Sequence, residues 1–191
     1  MKKILLSLLV IITAIPLSYA QLQAGPRAGL TGYQIITGGN NNFRFGMYAG
    51  GFLEYKQSEK QNLQLDIAYV QKGAQDKDLG IVTKLDYLEV SPKVELFTKA
   101  NADNRGFYIS VGFGFNVLIN DEVVLGEQSI YEDLGLKTFD LSLQLGLGYK
   151  LQNNLSVDLK LLDGSLTLAS SEIDSFRNIG ANLTLSYGFD L

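Results

Sequence analysis

The chain has 191 residues, with 16 bases against 20 acids and neither histidine nor cysteine. Those absences close the Ser/His and Cys/His nucleophile systems, imidazole-ligated zinc sites and any disulfide framework. An acidic chain without a basic cluster also argues against nucleic acid, whose affinity rests on neutralising phosphates with Lys and Arg.

The first predicted element is a targeting signal. Lys2 and Lys3 form a positive start, Ile4 to Leu17 is apolar apart from Ser7, Thr13 and Pro16, and Ser18-Tyr19-Ala20 offers small residues at −3 and −1. That is the build of a secretory signal peptide, cleaved after Ala20. The run is too short for a membrane-spanning helix, which needs about 20 residues. The mature chain is expected to be a single domain, residues 21–191.

Beyond residue 20 the repeating signal is period-two alternation, the mark of strands whose successive side chains point to opposite faces. A first strand is predicted near Arg27 to Ile35, where the alternation is weakest. Phe43 to Lys56 follows, then Leu63 to Tyr69, Leu88 to Leu96, Phe107 to Ile119, Phe139 to Lys150 and Leu155 to Leu161. The last segment is the clearest: Ile179, Ala181, Leu183, Leu185, Tyr187, Phe189 and Leu191 alternate with Asn178, Gly180, Asn182, Thr184, Ser186, Gly188 and Asp190. The sum is eight strands. Gln57–Gln61 and Gln152–Asn154 read as tight turns and Lys99–Arg105 as a slightly longer one. On the other side, Lys72–Lys84, Asn120–Lys137 and Asp163–Phe176 read as long loops and Thr37–Asn42 as a short one. Transmembrane barrels show this asymmetry, with short periplasmic turns and longer extracellular loops.

Alternation alone does not say which face points outward. A soluble exported ligand-binding barrel would turn its apolar face inward. Three features favour the reverse. The polar faces are rich in glycine and serine, which suits a narrow lumen. The apolar faces carry no charge over their central spans, as a bilayer demands. Aromatics gather toward strand ends, at Phe43, Tyr55, Tyr69, Phe107, Tyr149, Tyr187 and Phe189, as in interfacial girdles. The predicted fold is therefore all-β, a single up-and-down antiparallel transmembrane β-barrel of about eight strands in the outer membrane. Pro92, which cannot donate to a ladder, is expected at a bulge or near the rim.

The run Tyr87-Leu88-Glu89-Val90-Ser91-Pro92 is similar to a Tyr-Leu-Glu-Ile-Pro stretch of the PorT-like, porin-family outer-membrane barrels of Bacteroidetes-type bacteria. Gly46 to Asn62, followed by Leu63–Gly73 ending in Tyr-Val-Gln-Lys-Gly, also resembles that family. The resemblance implies an eight-stranded barrel in a Gram-negative envelope. Its members vary in function, so it carries over no functional residues.

The polar faces hold a set of charges: Arg44, Glu54, Asp66, Glu89, Lys93, Glu95, Asp140, Asp158, Lys160 and Asp190. An eight-stranded barrel is just wide enough for side chains to fill it, and charges trapped there must pair. These residues are expected to form a lumen charge network, with Lys56 and Lys150 near the ends and solvated. A permeation path is the alternative. Asp76, Asp78 and Gly80 echo part of a calcium loop but lack its other ligands, and are read as a solvated loop. Gly112-Phe113-Gly114 and Gly146-Leu147-Gly148 lie inside strands, where glycine relieves crowding in the lumen. The acidic stretch with Asp121, Glu122, Glu127, Glu132 and Asp133 also holds Val123-Val124-Leu125 and Ile130-Tyr131, and is a candidate extracellular contact surface. No catalytic, metal or cofactor site is expected. The expected partners are outer-membrane lipid and an extracellular or envelope protein met through the long loops. The role expected is structural, surface-interacting or accessory to secretion and envelope assembly, with a narrow channel or carrier for a small apolar solute as the alternative.

Overall fold

In a computed structural model of the chain, the residues described are 22–36, 42–76, 79–99, 104–126, 128–132, 136, 138–164 and 177–191. The signal predicted at 1–20, most of the loops expected at 37–42 and 163–176, and Asp78, Glu127 and Asp133 lie outside them.

The alternating segments form β1 (Leu22–Ile36), β2 (Asn42–Ser58), β3 (Gln61–Asp76), β4 (Ile81–Phe97), β5 (Gly106–Leu125), β6 (Gln128–Glu132), β7 (Phe139–Lys150), β8 (Leu155–Gly164), β9 (Arg177–Tyr187) and β10 (Phe189–Asp190). Every pairing is antiparallel and, apart from the closing seam, joins strands that follow one another in the chain, except that β5 pairs with both β6 and β7. The ring closes where β1 pairs with β9 and, past Gly188, with β10. With β9 and β10 as one stave and β6 outside the ring, this is a closed eight-stranded up-and-down barrel, as the alternation predicts. Closure is obligatory in lipid, where no water satisfies an open edge. Among the described residues no helix is long and apolar enough to cross a membrane; strands cross it.

The register sets the size of the lumen. Leu22 pairs with Tyr55, and the partners continue through Leu63, Val94, Val111, Leu145, Leu161 and Ala181 to Gly32. One circuit thus returns to β1 ten residues further on. For eight strands that stagger corresponds to a tilt of about 40° and a backbone radius of about 8 Å. Side chains fill such a bore. At the closing seam β1 runs very close to β9: a Cβ on Gly29 would lie 2.1 Å from the Leu183 carbonyl oxygen.

The two faces sort as an inverted protein. Leu30, Phe45, Leu147 and Leu161 point outward, at 59–80% exposure, whereas Arg27, Asp66, Glu89 and Asp158 point inward at 3% or less. Outward aromatics gather at the end bearing the short turns: Phe107 meets Tyr149 edge-on at 4.7 Å and Tyr187 meets Phe189 at 5.0 Å. Phe115 and Phe139, 6.3 Å apart, lie toward the other end.

Two expectations change. Lys72–Lys84 is not a long loop, because β3 continues to Asp76 and β4 begins at Ile81. Likewise β5 runs to Leu125 and turns into β6, which replaces β7 as its neighbour from Glu122 onward. A strand needs only about 9–11 residues to cross, so the 20 residues of β5 reach well past the bilayer. On that extension Lys84 donates to Glu122 at 3.1 Å and holds its carboxyl below the usual range.

Pro92 lies neither at a bulge nor at the rim. The pairs Val90–Phe115 and Lys93–Gly112 keep one register with no residue inserted between them. Pro92 is opposite Leu65 on β3 and lines a shallow lipid-facing groove with Leu53, Val94, Val111 and Phe113. Its missing N–H is covered locally: the Ser91 hydroxyl donates to the Phe113 carbonyl at 3.2 Å. Ser91→Ala would leave that carbonyl without a donor inside the membrane. The expected cost is about 1–3 kcal/mol, read as a lower urea midpoint for unfolding from lipid vesicles. Ser91→Thr, which keeps the hydroxyl, is expected to recover most of it.

Candidate functional site

The inward positions build a packed lumen in two tiers. The larger lies toward the short-turn end. Arg27 on β1 donates to Asp66 at 2.8 Å on one side and to Asp158 and Ser186, each at 3.3 Å, on the other. Asp66 also takes Lys160 at 3.2 Å and Gln64 at 2.8 Å. Asp158 takes Lys93 at 3.4 Å and the Tyr108 hydroxyl at 2.5 Å, and Lys93 pairs onward with Glu95 at 2.9 Å. Below them Lys150 bridges Glu54 and Gln23. Rings pack over the cations, with Phe52 at 5.4 Å from Arg27 and Tyr48 at 4.9 Å from Lys160. The arrangement needs small neighbours. A Cβ on Gly148 would lie 2.2 Å from the Tyr108 ring, so a larger residue there would drive that ring off Asp158.

The upper tier is sparser. Lys72 lies 3.6 Å from Glu89 and donates to Asn116 at 2.8 Å, beneath the faces of Tyr87 and Tyr33 at 4.9 and 5.3 Å. Gln144 donates to Glu89 at 3.1 Å. Asp140 is fully buried beside them, and neither of its oxygens accepts a side-chain hydrogen bond. Above this tier Ile35, Ala74, Leu85 and Tyr87 pack together with Leu118 and Leu136. That apolar layer caps the polar column at the long-loop end.

Of the residues singled out from the sequence, Glu54, Asp66, Glu89, Lys93, Glu95, Asp140, Asp158 and Lys160 are buried in the lumen. Two are elsewhere. Asp190 is exposed at the rim beside Gln23, because the last strand breaks at Gly188. Arg44 is half-buried and donates to the Lys72 carbonyl, facing Asp86 and Glu122 rather than the lumen acids. Three members were not in the predicted network. Lys150, expected to be solvated, is buried against Glu54. Arg27 lies in the strand with the least regular alternation, and Lys72 in a segment read as loop. For Lys72 the usable signal was its parity: it continues the inward series of Gln64, Asp66, Ala68 and Val70.

Among the described residues no cluster of His, Cys, Asp and Glu is arranged to hold a metal. What the column does chemically is to fill and brace the bore. The model of the outer membrane protein beta-barrel domain family matches residues 18–167 of the chain. The chain belongs to that family. Family and fold together place it in the outer membrane, with the leucine and phenylalanine face against lipid. By the rule of short periplasmic turns, the capped end is extracellular. No curated protein matches the chain. Among solved structures it is similar to Ail, the attachment invasion locus protein of Yersinia pestis, with a TM-score of 0.53 and 14% identity over 88% of this chain and 99% of that one. Neisserial surface protein A gives a TM-score of 0.54 and 12% identity, over 88% and 97%. Ail is also known in complex with the heparin analogue sucrose octasulfate. At these identities the likeness to both is one of fold.

Proposed function

We propose that this family member is a surface-interaction protein, in which the barrel is a rigid anchor and the extracellular sheet of β3 to β6 carries the contacts. The observation behind this reading is the filled bore: among the described residues a braced ionic column under an apolar cap occupies the path a solute would take. The sheet above it presents Leu79, Leu125, Ile130 and Tyr131 to solvent, between 44% and 68% exposed. Acidic Asp121 and Glu122 stand nearby, which suits a protein partner with basic and apolar surface. Ail, with a similar fold, bears a name that refers to attachment. The run Tyr87–Pro92 further suggests a PorT-like barrel of a Bacteroidetes-type envelope, with an accessory role in secretion or assembly as one form of the contact. On this reading the chain is exported, cleaved after Ala20, and performs no catalysis.

Two measurements test it. In planar bilayers the purified barrel is expected to give no steady single-channel current, and a robust, reproducible conductance would favour a channel instead. On cells displaying the protein, Ile130→Ser with Tyr131→Ser is expected to abolish most adherence to immobilised envelope or host-surface protein. Unchanged adherence would remove the sheet from the reading.

A further inference from the structure

The ions of the lumen divide unevenly between its tiers. The lower tier is balanced among the described residues, with Arg27, Lys93, Lys150 and Lys160 facing Glu54, Asp66, Glu95 and Asp158. The upper tier sets Lys72 alone against Glu89 and Asp140. Lys72 is committed to Glu89, to Asn116 and to two ring faces. The charged groups facing Asp140 are Lys72 and Glu89, of opposite sign, so one negative charge is left over in a bore that excludes bulk water. An uncompensated buried charge costs several kcal/mol.

The same tier holds polar side chains without hydrogen-bond partners. Asn178 and Asn182 on β9 are 2% and 0% exposed, and neither the oxygen nor the nitrogen of either carboxamide is engaged. The hydroxyls of Tyr33 and Tyr87 likewise lack a well-formed hydrogen bond, although each lies within electrostatic reach of one carboxamide, Asn182 and Asn178 respectively. These groups share one space. The Tyr87 hydroxyl faces Asn178 and Asp140; the Tyr33 hydroxyl faces Asn182, with Glu89 and Asp140 beyond. Tyr33 reaches this position by lying across Gly180, between the two asparagines, where a Cβ would lie 2.3 Å from its ring. Buried polar groups in native proteins are satisfied by protein, water or ions, and a cluster of this density calls for an occupant.

We propose that the upper lumen binds one small hydrated monovalent cation, at the Asp140 carboxylate and the Asn178 side chain, with Tyr87, Tyr33 and Asn182 forming the rest of its polar wall. Carboxylate, carboxamide and phenol oxygens suit a hard cation. The surplus is a single charge, so a divalent ion would replace an excess of one sign by an excess of the other. A proton on Asp140 would cancel the charge but leave each carboxamide with a single phenol neighbour for its several donor and acceptor positions. A hydrated ion brings water to them. The site braces the half of the barrel beneath the apolar cap and stands independently of any surface partner.

The test is heat unfolding of the folded barrel in zwitterionic detergent, in sodium, potassium or N-methyl-glucamine chloride at one ionic strength. A ligand that binds only the folded state raises its midpoint in a saturable way. Sodium or potassium is expected to raise the wild-type midpoint by several degrees over N-methyl-glucamine. Asp140→Asn is expected to lose that shift, whereas Asp190→Asn, at the rim, keeps it. Equal wild-type midpoints in all three salts would overturn the proposal, as would a shift that persists in Asp140→Asn. A wild type indifferent to the cation but stabilised by acid would assign the compensating charge to a proton. Should Asp140→Asn fail to fold, wild-type crystals grown in rubidium chloride decide. An anomalous peak in contact with Asp140 supports the site, and its absence refutes it.

Discussion

Arg27→Ala is expected to destabilise the barrel by about 3–5 kcal/mol, because it leaves the balanced lower tier one buried positive charge short. Asp66 would keep Lys160 and Gln64, and Asp158 would keep Lys93 and Tyr108, but the cation that joins them across the bore would be gone. The loss is larger than for a surface pair because solvent cannot enter to screen what remains. Arg27→Lys retains the charge but not the planar fork that reaches Asp66 and Asp158 together, so an intermediate loss is expected. Urea unfolding from vesicles measures both, as does the temperature at which the compact gel band of the unheated protein gives way to the unfolded one. An Arg27→Ala barrel as stable as wild type would mean that the column is hydrated and that its ion pairs brace nothing.

Leu145→Arg is the second large effect, and it tests the opposite face. Leu145 is half exposed on β7, midway between Phe139 and Tyr149, whose rings lie in the two belts. An arginine near the bilayer midplane costs about 2–4 kcal/mol, falling toward 0–1 kcal/mol at the interfaces. The same substitution at Tyr149 is therefore expected to cost much less. A gradient of this kind has no counterpart in a soluble barrel. If Leu145→Arg and Tyr149→Arg were equally mild, the outward face would not be meeting acyl chains.

Where one face meets lipid and the other a crowded bore, period-two alternation is forced, and it shows in the residues of β5, β7 and β9. Those strands, the strand number and the direction of the faces were legible for that reason. Legibility fails where the constraint lapses. Above the bilayer the outward face of β3, β4 and β5 meets water instead of lipid, so Lys72–Lys84 and Asn120–Lys137 lose the apolar alternation and resemble loops, although the ladder continues to Asp76 and Leu125. Lys72 was lost with them. In β1 the small residues Gly25 and Gly29 serve the tight closing seam and blur the pattern, which hid Arg27, the residue with the widest reach in the lower tier. Pro92 misled for a different reason. A ladder defect was expected to need an irregular backbone, whereas one neighbouring hydroxyl supplies the missing donor. Depth in the bore was not legible either: parity put Asp190 inward, but only the break at Gly188 shows that it belongs to the rim.

The absence of cysteine makes the central claim open to direct measurement, since each position from 141 to 145 of β7, short of the crowded glycines at 146 and 148, can carry a single spin label. Accessibility to oxygen dissolved in lipid and to a water-soluble nickel complex is then read residue by residue. Odd positions should be reached by oxygen alone and even positions by neither reagent, because a braced bore admits neither lipid nor bulk water. Even positions open to the nickel complex, with odd positions shielded from both reagents, would contradict this arrangement.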